Sequence, residues 1–335
     1  MSFSKPLPRI SGCRRDILAA ARLFMESRVL LTAWELGVFT ALGRGARTAA
    51  QVARTARADP RAMDRLLDAL VSVGLARKSG RIFSNSPSAA RYLVAGRPAY
   101  IGSLGHMASL WESWSTLTQA VRAGRSVLKD DMPRRGKEFF VPFIAAMHER
   151  SSLQGPSFAR ALPLAGVRRL LDVGGGSGAY SIAFARAHPA LRATVFDLPQ
   201  VVPLARGYIR AAGLQDRVEA RVGDYDRNPL PDGYDLVFLS HILHSNSPAR
   251  NRRLLRKCAR SLNPGGLVVI QEFLVDEDRT GPQFAALFAL NMLVGTPAGD
   301  AYTEREIGSW LKGARLRGIR RKDTAFDSAL LIARR

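Results

Sequence analysis

The chain has 335 residues, 47% of them hydrophobic and 23% charged, ordinary for a globular protein and long enough for two cores or one core with a large addition. No apolar run approaches the roughly eighteen residues needed to span a bilayer, and Arg22 cuts short the run Ile17–Ala21, so neither a membrane span nor a secretory signal is expected and the chain is assigned to the cytoplasm. Two cysteines, Cys13 and Cys258, exclude a disulfide framework, and the net charge of +22 is spread over both halves and interleaved with acids, so it reads as general surface composition.

In chain order, residues from about 14 to 42 carry apolar positions at helical spacing (Ile17, Ala20, Ala21, Phe24, Val29, Leu30, Leu31), with Gly43 as a stop. Thr48 caps a helix over Ala49–Thr55, and Asp59-Pro60 opens another that runs through Leu75. Residues 76–83 form a hairpin-like wing. Three helices and a wing make a winged-helix arrangement. The stretch from about 85 to 165 is helical, interrupted by a polar loop from Asp130 to Gly136 that contains Pro133.

Near Arg168 the texture changes to alternating strand and helix. Strands are predicted at Arg169–Val173, Ala193–Phe196, Val218–Val222, Tyr234–Ser240 and Gly266–Glu272, with a closing hairpin from Gly318–Asp323 and Ser328–Ala333. The expected division is a helical winged-helix domain over 1–100, a helical connector contributing to a substrate pocket over 101–165, and a cofactor-binding domain over 166–335.

The turn Asp172-Val173-Gly174-Gly175-Gly176-Ser177-Gly178 lies between a strand and a helix, where glycines admit a ligand to the backbone and the helix N-terminus offers free N–H groups. Gly174-x-Gly176-x-x-Ala179 also satisfies the dinucleotide fingerprint, and Asp197 suits a ribose hydroxyl under either reading. Two features favour a cationic cofactor. Asp172 would repel a pyrophosphate but attract a sulfonium and an ammonium. Asp224 and Tyr225 put an acid and an aromatic ring at the next strand end, suited to an adenine, so that acids stand at the ends of three successive strands.

Of five histidines, only His241 and His244 follow a predicted sheet strand at the cofactor end, and Glu272 ends the neighbouring strand. A His with an orienting acid is the arrangement of a general base. A phenol of pKa about 10 and an imidazole near 6.5 are mismatched, so proton removal would accompany attack. His241-x-x-His244 is also a potential metal pair, but no third ligand follows at a suitable spacing, and no metal is expected. His241 is read as structural or as a pocket wall.

The runs Leu171–Ala179, Val195-Phe196-Asp197-Leu198-Pro199, Gly223-Asp224-Tyr225, Ile242-Leu243-His244 and Asn263-Pro264-Gly265-Gly266 resemble class I S-adenosylmethionine-dependent O-methyltransferases of the caffeic acid and hydroxyneurosporene type. The resemblance covers nearly the whole chain. It implies an α/β Rossmann-like domain with a seven-stranded, mostly parallel sheet, preceded by an all-helical winged-helix dimerisation domain, and hence a homodimer. It implies an S-adenosylmethionine site lined by Gly174, Asp197, Asp224 and Tyr225, with Ser240 where many plant members have a lysine; Asp172, Gly176 and Leu198 are expected to bind the cofactor beside them. His244 then matches the general base and Glu272 the acid beside it.

Met147, Phe288, Asn291 and Met292, with Trp111, Trp114 and Phe140, are candidates for the wall of an acceptor pocket, and Met292 matches a substrate-contacting methionine of the family. A small aromatic or polyketide-like acceptor is expected. The sequence departs from the family after the histidine, where Ser245-Asn246 replaces Asp-Trp, and at Ala301, which stands where a second glutamate is common. These changes leave nitrogen or carbon acceptors open. A nucleic-acid target would need a basic reading helix, whereas Asp59–Leu75 carries Asp59, Asp64 and Asp68 beside its arginines and an apolar face, so neither nucleic acid nor membrane is expected as a partner.

Overall fold

The computed structural model describes residues 10, 12–128 and 136–335, so the loop expected from Asp130 falls, except for Gly136, outside the described residues. The chain divides into two compact units, Pro8–Trp111 and Glu112–Arg335. No helix among the described residues is long and apolar enough to cross a membrane.

In the N-terminal unit the first helical stretch is two helices, α1 (Arg14–Glu35) and α2 (Val38–Leu42), because Gly37 between them takes φ 66°. A capping box between Thr48 and Gln51 opens α3 (Ala49–Ala56), and the Asp59 carboxylate accepts the Ala62 N–H at the start of α4 (Pro60–Ser72). The wing is β2 (Ala76–Ser79) and β3 (Ile82–Asn85), to which the two-residue β1 (Arg47–Thr48) adds a third strand in the order β1-β3-β2. Met63, Leu67 and Leu70 of α4 pack with Phe39, Val52 and Phe83 in one core, so the apolar face of this helix points inward. A different kind of surface is left on α1, where Ile17, Leu18, Leu23, Phe24 and Met25 are exposed.

After α5 (Pro87–Tyr92), α6 (Leu104–Ser115), α7 (Leu117–Ala123) and α8 (Lys137–Ala161) comes the sheet. Its strands are β4 (Arg169–Val173), β5 (Arg192–Asp197), β6 (Val218–Val222), β7 (Tyr234–Ser240), β8 (Leu262–Glu272), β9 (Arg317–Asp323) and β10 (Ala329–Arg334). They lie in the order β6-β5-β4-β7-β8-β10-β9; the first five are parallel, and β10 runs antiparallel to both its neighbours. The strand order reverses between β4 and β7, which opens a crevice at their carboxyl ends, where ligands of such sheets bind.

Side chains alternate across the sheet. Leu236 and Phe238 of β7 join one core with Leu170, Phe184 and Val269, while Val237 and Leu239 join another with Leu171, Leu255 and Trp310. Burial on both faces accounts for the near-continuous apolar strands. The surrounding helices are α9 (Ala179–Ala187), α10 (Val202–Ala211), α11 (Pro248–Ser261), α12 (Gln283–Gly295) and α13 (Glu304–Gly313). One buried polar group, Gln271 of β8, donates from its amide nitrogen to Gln154 of α8 (3.0 Å) and Ser328 (3.1 Å) and accepts from Ser240 (2.9 Å). Tyr180 of α9 donates to the same Gln154 oxygen at 2.7 Å, so α8, α9, β7 and β8 are tied together beneath the crevice.

Candidate active site

The glycine turn after β4 is built over a carboxylate. Asp172 is 1% exposed and accepts from Ser181 of α9 at 2.7 Å through Oδ2, while its buried Oδ1 has no partner. A Cβ at Gly175 would stand 2.7 Å from that Oδ2, so no larger residue fits above it. Gly176 (φ 58°) turns its N–H onto Asp197 Oδ2 at 2.7 Å, and the Leu198 N–H reaches Asp197 Oδ1 at 2.7 Å. Burial raises both acids: Asp172 to about 7, against its Ser181 hydrogen bond and helped by the charge of Asp197, and Asp197 to about 6, against its two backbone donors.

Past β6, Asp224 accepts the Asp226 N–H at 2.9 Å and stands 3.6 Å from Arg227. Tyr225 donates to Asn246 at 3.2 Å, and burial pushes its phenol up to about 12. Gly223 N donates to Asp197 O at 2.9 Å, which fixes the β6 end against the β5 end. The Ser240 hydroxyl, at the end of β7, is directed to Gln271.

The second half of the crevice lies beyond β7, where the chain makes a single tight turn over Leu243–Ser245. Glu272, ending β8, organises this turn. Its Oε1 accepts the N–H groups of Leu243 (2.8 Å) and His244 (3.2 Å), and its Oε2 lies 2.8 Å from His244 Nδ1 and 3.8 Å from His241 Nδ1. Burial opposes ionisation of Glu272, but the two histidines hold its carboxyl well below the usual range. An ionised Oε2 makes Nδ1 of His244 the donor and leaves Nε2 with a free lone pair. From below, the Asp300 N–H donates to the His244 carbonyl at 2.9 Å, and Gly299 comes so close that a Cβ there would stand 2.2 Å from that oxygen.

His241 has φ 56° and packs on Phe273 at 4.3 Å. Both its ring nitrogens are buried without a hydrogen bond, and burial lowers it to about 4. Ligand atoms of His241, His244 and Glu272 all lie within 4.8 Å of one another. Glu272, expected beside the pair only as an orienting acid, therefore also supplies a third donor atom from the adjacent strand. These atoms form a donor set suited to a divalent cation.

Phe288 of α12 meets His244 edge-on at 4.9 Å and Phe273 at 4.8 Å. Met292 is buried on the same helix, and the Asn291 carbonyl accepts from Trp114 Nε1 at 2.8 Å. Met147 is half-buried on α8. Phe140 packs instead with Ile144 and Val201, and Trp111 belongs to the N-terminal unit, where Arg28 lies over its ring. Sequence reasoning passed over Ser181, His148 and Arg150. His148 bonds Ser177 of the glycine turn at 2.9 Å and stacks on Tyr208 at 3.8 Å, and Arg150 lies over Phe273 at 4.9 Å.

A parallel sheet with acids at three successive strand ends, a glycine turn over a carboxylate, and a His–Glu pair across the switch point define an S-adenosylmethionine-dependent methyltransferase. The chain belongs to the O-methyltransferase family: residues 114–317 match the model of the O-methyltransferase domain and residues 18–95 that of the O-methyltransferase dimerisation domain. It is 39% identical to 3-hydroxy-5-methyl-1-naphthoate 3-O-methyltransferase of Streptomyces sahachiroi over 86% of this chain and 85% of that one. It is 32% identical to the tetracenomycin polyketide synthesis 8-O-methyl transferase TcmO of Streptomyces glaucescens over 96% of each. The crystal structure of human N-acetylserotonin methyltransferase in complex with S-adenosylmethionine superposes with a TM-score of 0.85 at 30% identity, covering 98% of this chain and 99% of that one.

The residues suit that cofactor. A buried Asp172 and a half-buried Asp197, both raised by desolvation, and an Asp172 oxygen without a partner favour a cation beside them.

Proposed function

We propose that this enzyme methylates a hydroxyl of a small aromatic or polyketide-like acceptor, with His244 as general base and Glu272 as its orienting acid. The observation that carries the reading is the 2.8 Å contact between His244 Nδ1 and an ionised Glu272, which leaves Nε2 able to take a proton. The acceptors named for the two Streptomyces relatives, a naphthoate and a polyketide, agree with it.

Bound S-adenosylmethionine supplies the methyl group together with its own leaving group. The chain supplies the rest. Asp197 is assigned to the ribose hydroxyls, with Leu198 beside it, and Asp224 and Tyr225 to the adenine. Asp172, Gly174 and Gly176 would hold the amino-acid end, the first as a negative charge under the turn. Ser240 is likewise assigned to the cofactor site, its hydroxyl steadied by donation to Gln271. Phe288, Met292, Asn291 and Met147 would wall the acceptor, where an apolar lining excludes water and Nε2 withdraws the hydroxyl proton as attack proceeds.

Residues 1–100 are assigned to dimerisation, 101–165 to a connector lining the pocket and 166–335 to the cofactor. The apolar residues exposed on α1 fit a homodimer. The test is His244→Ala against a panel of naphthols and polyketide phenols. Loss of turnover with cofactor affinity kept is expected; undiminished turnover would remove His244 from the reaction.

A further inference from the structure

Arg150 is a cation that the reaction so far leaves without a task. It sits on α8, three residues after Met147 and therefore on nearly the same face of the helix. Its guanidinium carbon lies 4.9 Å from the centre of the Phe273 ring. That ring packs on His241 at 4.3 Å and on Phe288 at 4.8 Å, and Phe288 in turn meets the His244 ring. Arg150 thus belongs to the aromatic box that holds the base.

Its surroundings are unusual for an arginine. Burial is the largest influence on it and acts against its charge; Tyr180 and Asp327 favour the charge only through space. Among the described residues it makes no hydrogen bond and no ion pair, and its one close partner is the phenyl face. An arginine keeps its charge at any pH a protein tolerates, so desolvation here is a standing cost unless an anion completes the site. The two ring nitrogens of His241, against the same phenyl, also make no hydrogen bond, although Glu272 Oε2 lies 3.8 Å from Nδ1. Two polar groups in one box thus have hydrogen bonds to be completed from outside the chain.

We infer that the acceptor is an aromatic hydroxy acid whose carboxylate is received by Arg150 while its hydroxyl faces His244. A guanidinium with one face covered by a phenyl ring still has its edge free. That edge offers parallel N–H donors, which match the two oxygens of a carboxylate. Phe273 and Phe288 lie between the two polar ends, where the apolar body of a flat acid would rest. Such a pair fixes which hydroxyl meets the base, so it sets regiochemistry as well as affinity. This inference rests on the acceptor reading above, but its test does not depend on turnover.

The test is calorimetric titration of the enzyme, saturated with S-adenosylhomocysteine, with hydroxynaphthoic acids and their methyl esters. Wild type should prefer the acid on the order of 10- to 100-fold, the usual size of a charge-assisted pair. Arg150→Met should bring that ratio near unity, and Arg150→Lys should restore part of it, which also covers a methionine variant that does not fold. An equal ratio in wild type and Arg150→Met, or a wild type that binds ester as tightly as acid, overturns the inference. Should His244→Ala turn over as fast as wild type while the acid preference persists, the base assignment falls and the carboxylate subsite stands.

Discussion

The crevice has two halves that treat a buried carboxylate in opposite ways. Asp172 and Glu272 are 1% and 3% exposed, so both have lost their water. On the glycine side, Asp172 is raised to about 7 by desolvation, with a serine and backbone for company and a second acid, Asp197, adding to the strain. On the histidine side, Glu272 is held low by the two imidazoles beside it, His244 Nδ1 at 2.8 Å and His241 Nδ1 at 3.8 Å, and two backbone N–H groups also donate to it. Burial alone therefore assigns no role; the neighbours do. One half is short of positive charge and suits a cationic cofactor. The other is already satisfied and suits the steadying of a base.

The largest expected effect separates the halves. His244→Ala should lower kcat by roughly 10²–10⁴ with cofactor affinity unchanged, measured by steady-state assay and titration calorimetry. A parallel loss of cofactor binding would mean that the two halves are not separate. Asp197→Ala should do the reverse, weakening S-adenosylmethionine about 10- to 100-fold, the size of hydrogen bonds to a charged group, while kcat at saturation changes little.

The raised acids give the comparison a pH dependence. A bound cation favours their ionised form, so binding releases protons. Affinity should be fully developed above about pH 8 and fall as pH drops through about 7 and then about 6, by up to tenfold per unit for each acid. In the cofactor-free protein the sign is opposite. Folded-state pKa values above the ordinary range of Asp mean that stability is greatest where both acids are protonated and is lost as pH rises through about 6 to 7. Calorimetry in buffers of different ionisation heat measures the protons released, and zero release at pH 6.5 would contradict the buried-acid description. The smallest effect is structural: Gly299→Ala, forcing a Cβ toward the His244 carbonyl, should cost about 1–3 kcal/mol in a thermal melt and lower kcat without altering cofactor affinity.

Much of the fold can be read from the sequence because the sheet is simple. The limits predicted for β4, β6 and β7 coincide with the observed strands; β4 and β7 are mostly apolar runs bounded by turn residues, and β6 alternates apolar with charged residues. Gly37 was hidden because the apolar spacing continues across it, and β1, two residues long, is too short to show alternation. The His244–Glu272 pairing was visible because parallel neighbours β7 and β8 must end side by side. What could not be read is the direction of helical side chains: that Ser181 reaches under Asp172, that Asn291 faces Trp114, or that Arg150 turns to Phe273. Those contacts depend on how helices rotate against the sheet, which spacing along one chain does not determine.

The position of β10 between β8 and β9 has a consequence for biosynthesis. The sheet has an interior strand, residues 329–334, that leaves the ribosome long after β4. At roughly 5–20 residues per second, the stretch from the end of β8 to the end of β10 takes about three to twelve seconds, with the β8 edge bare meanwhile. During that interval an apolar strand with unpaired N–H and C=O groups faces solvent, and chaperones that shelter such edges should raise the yield of native enzyme.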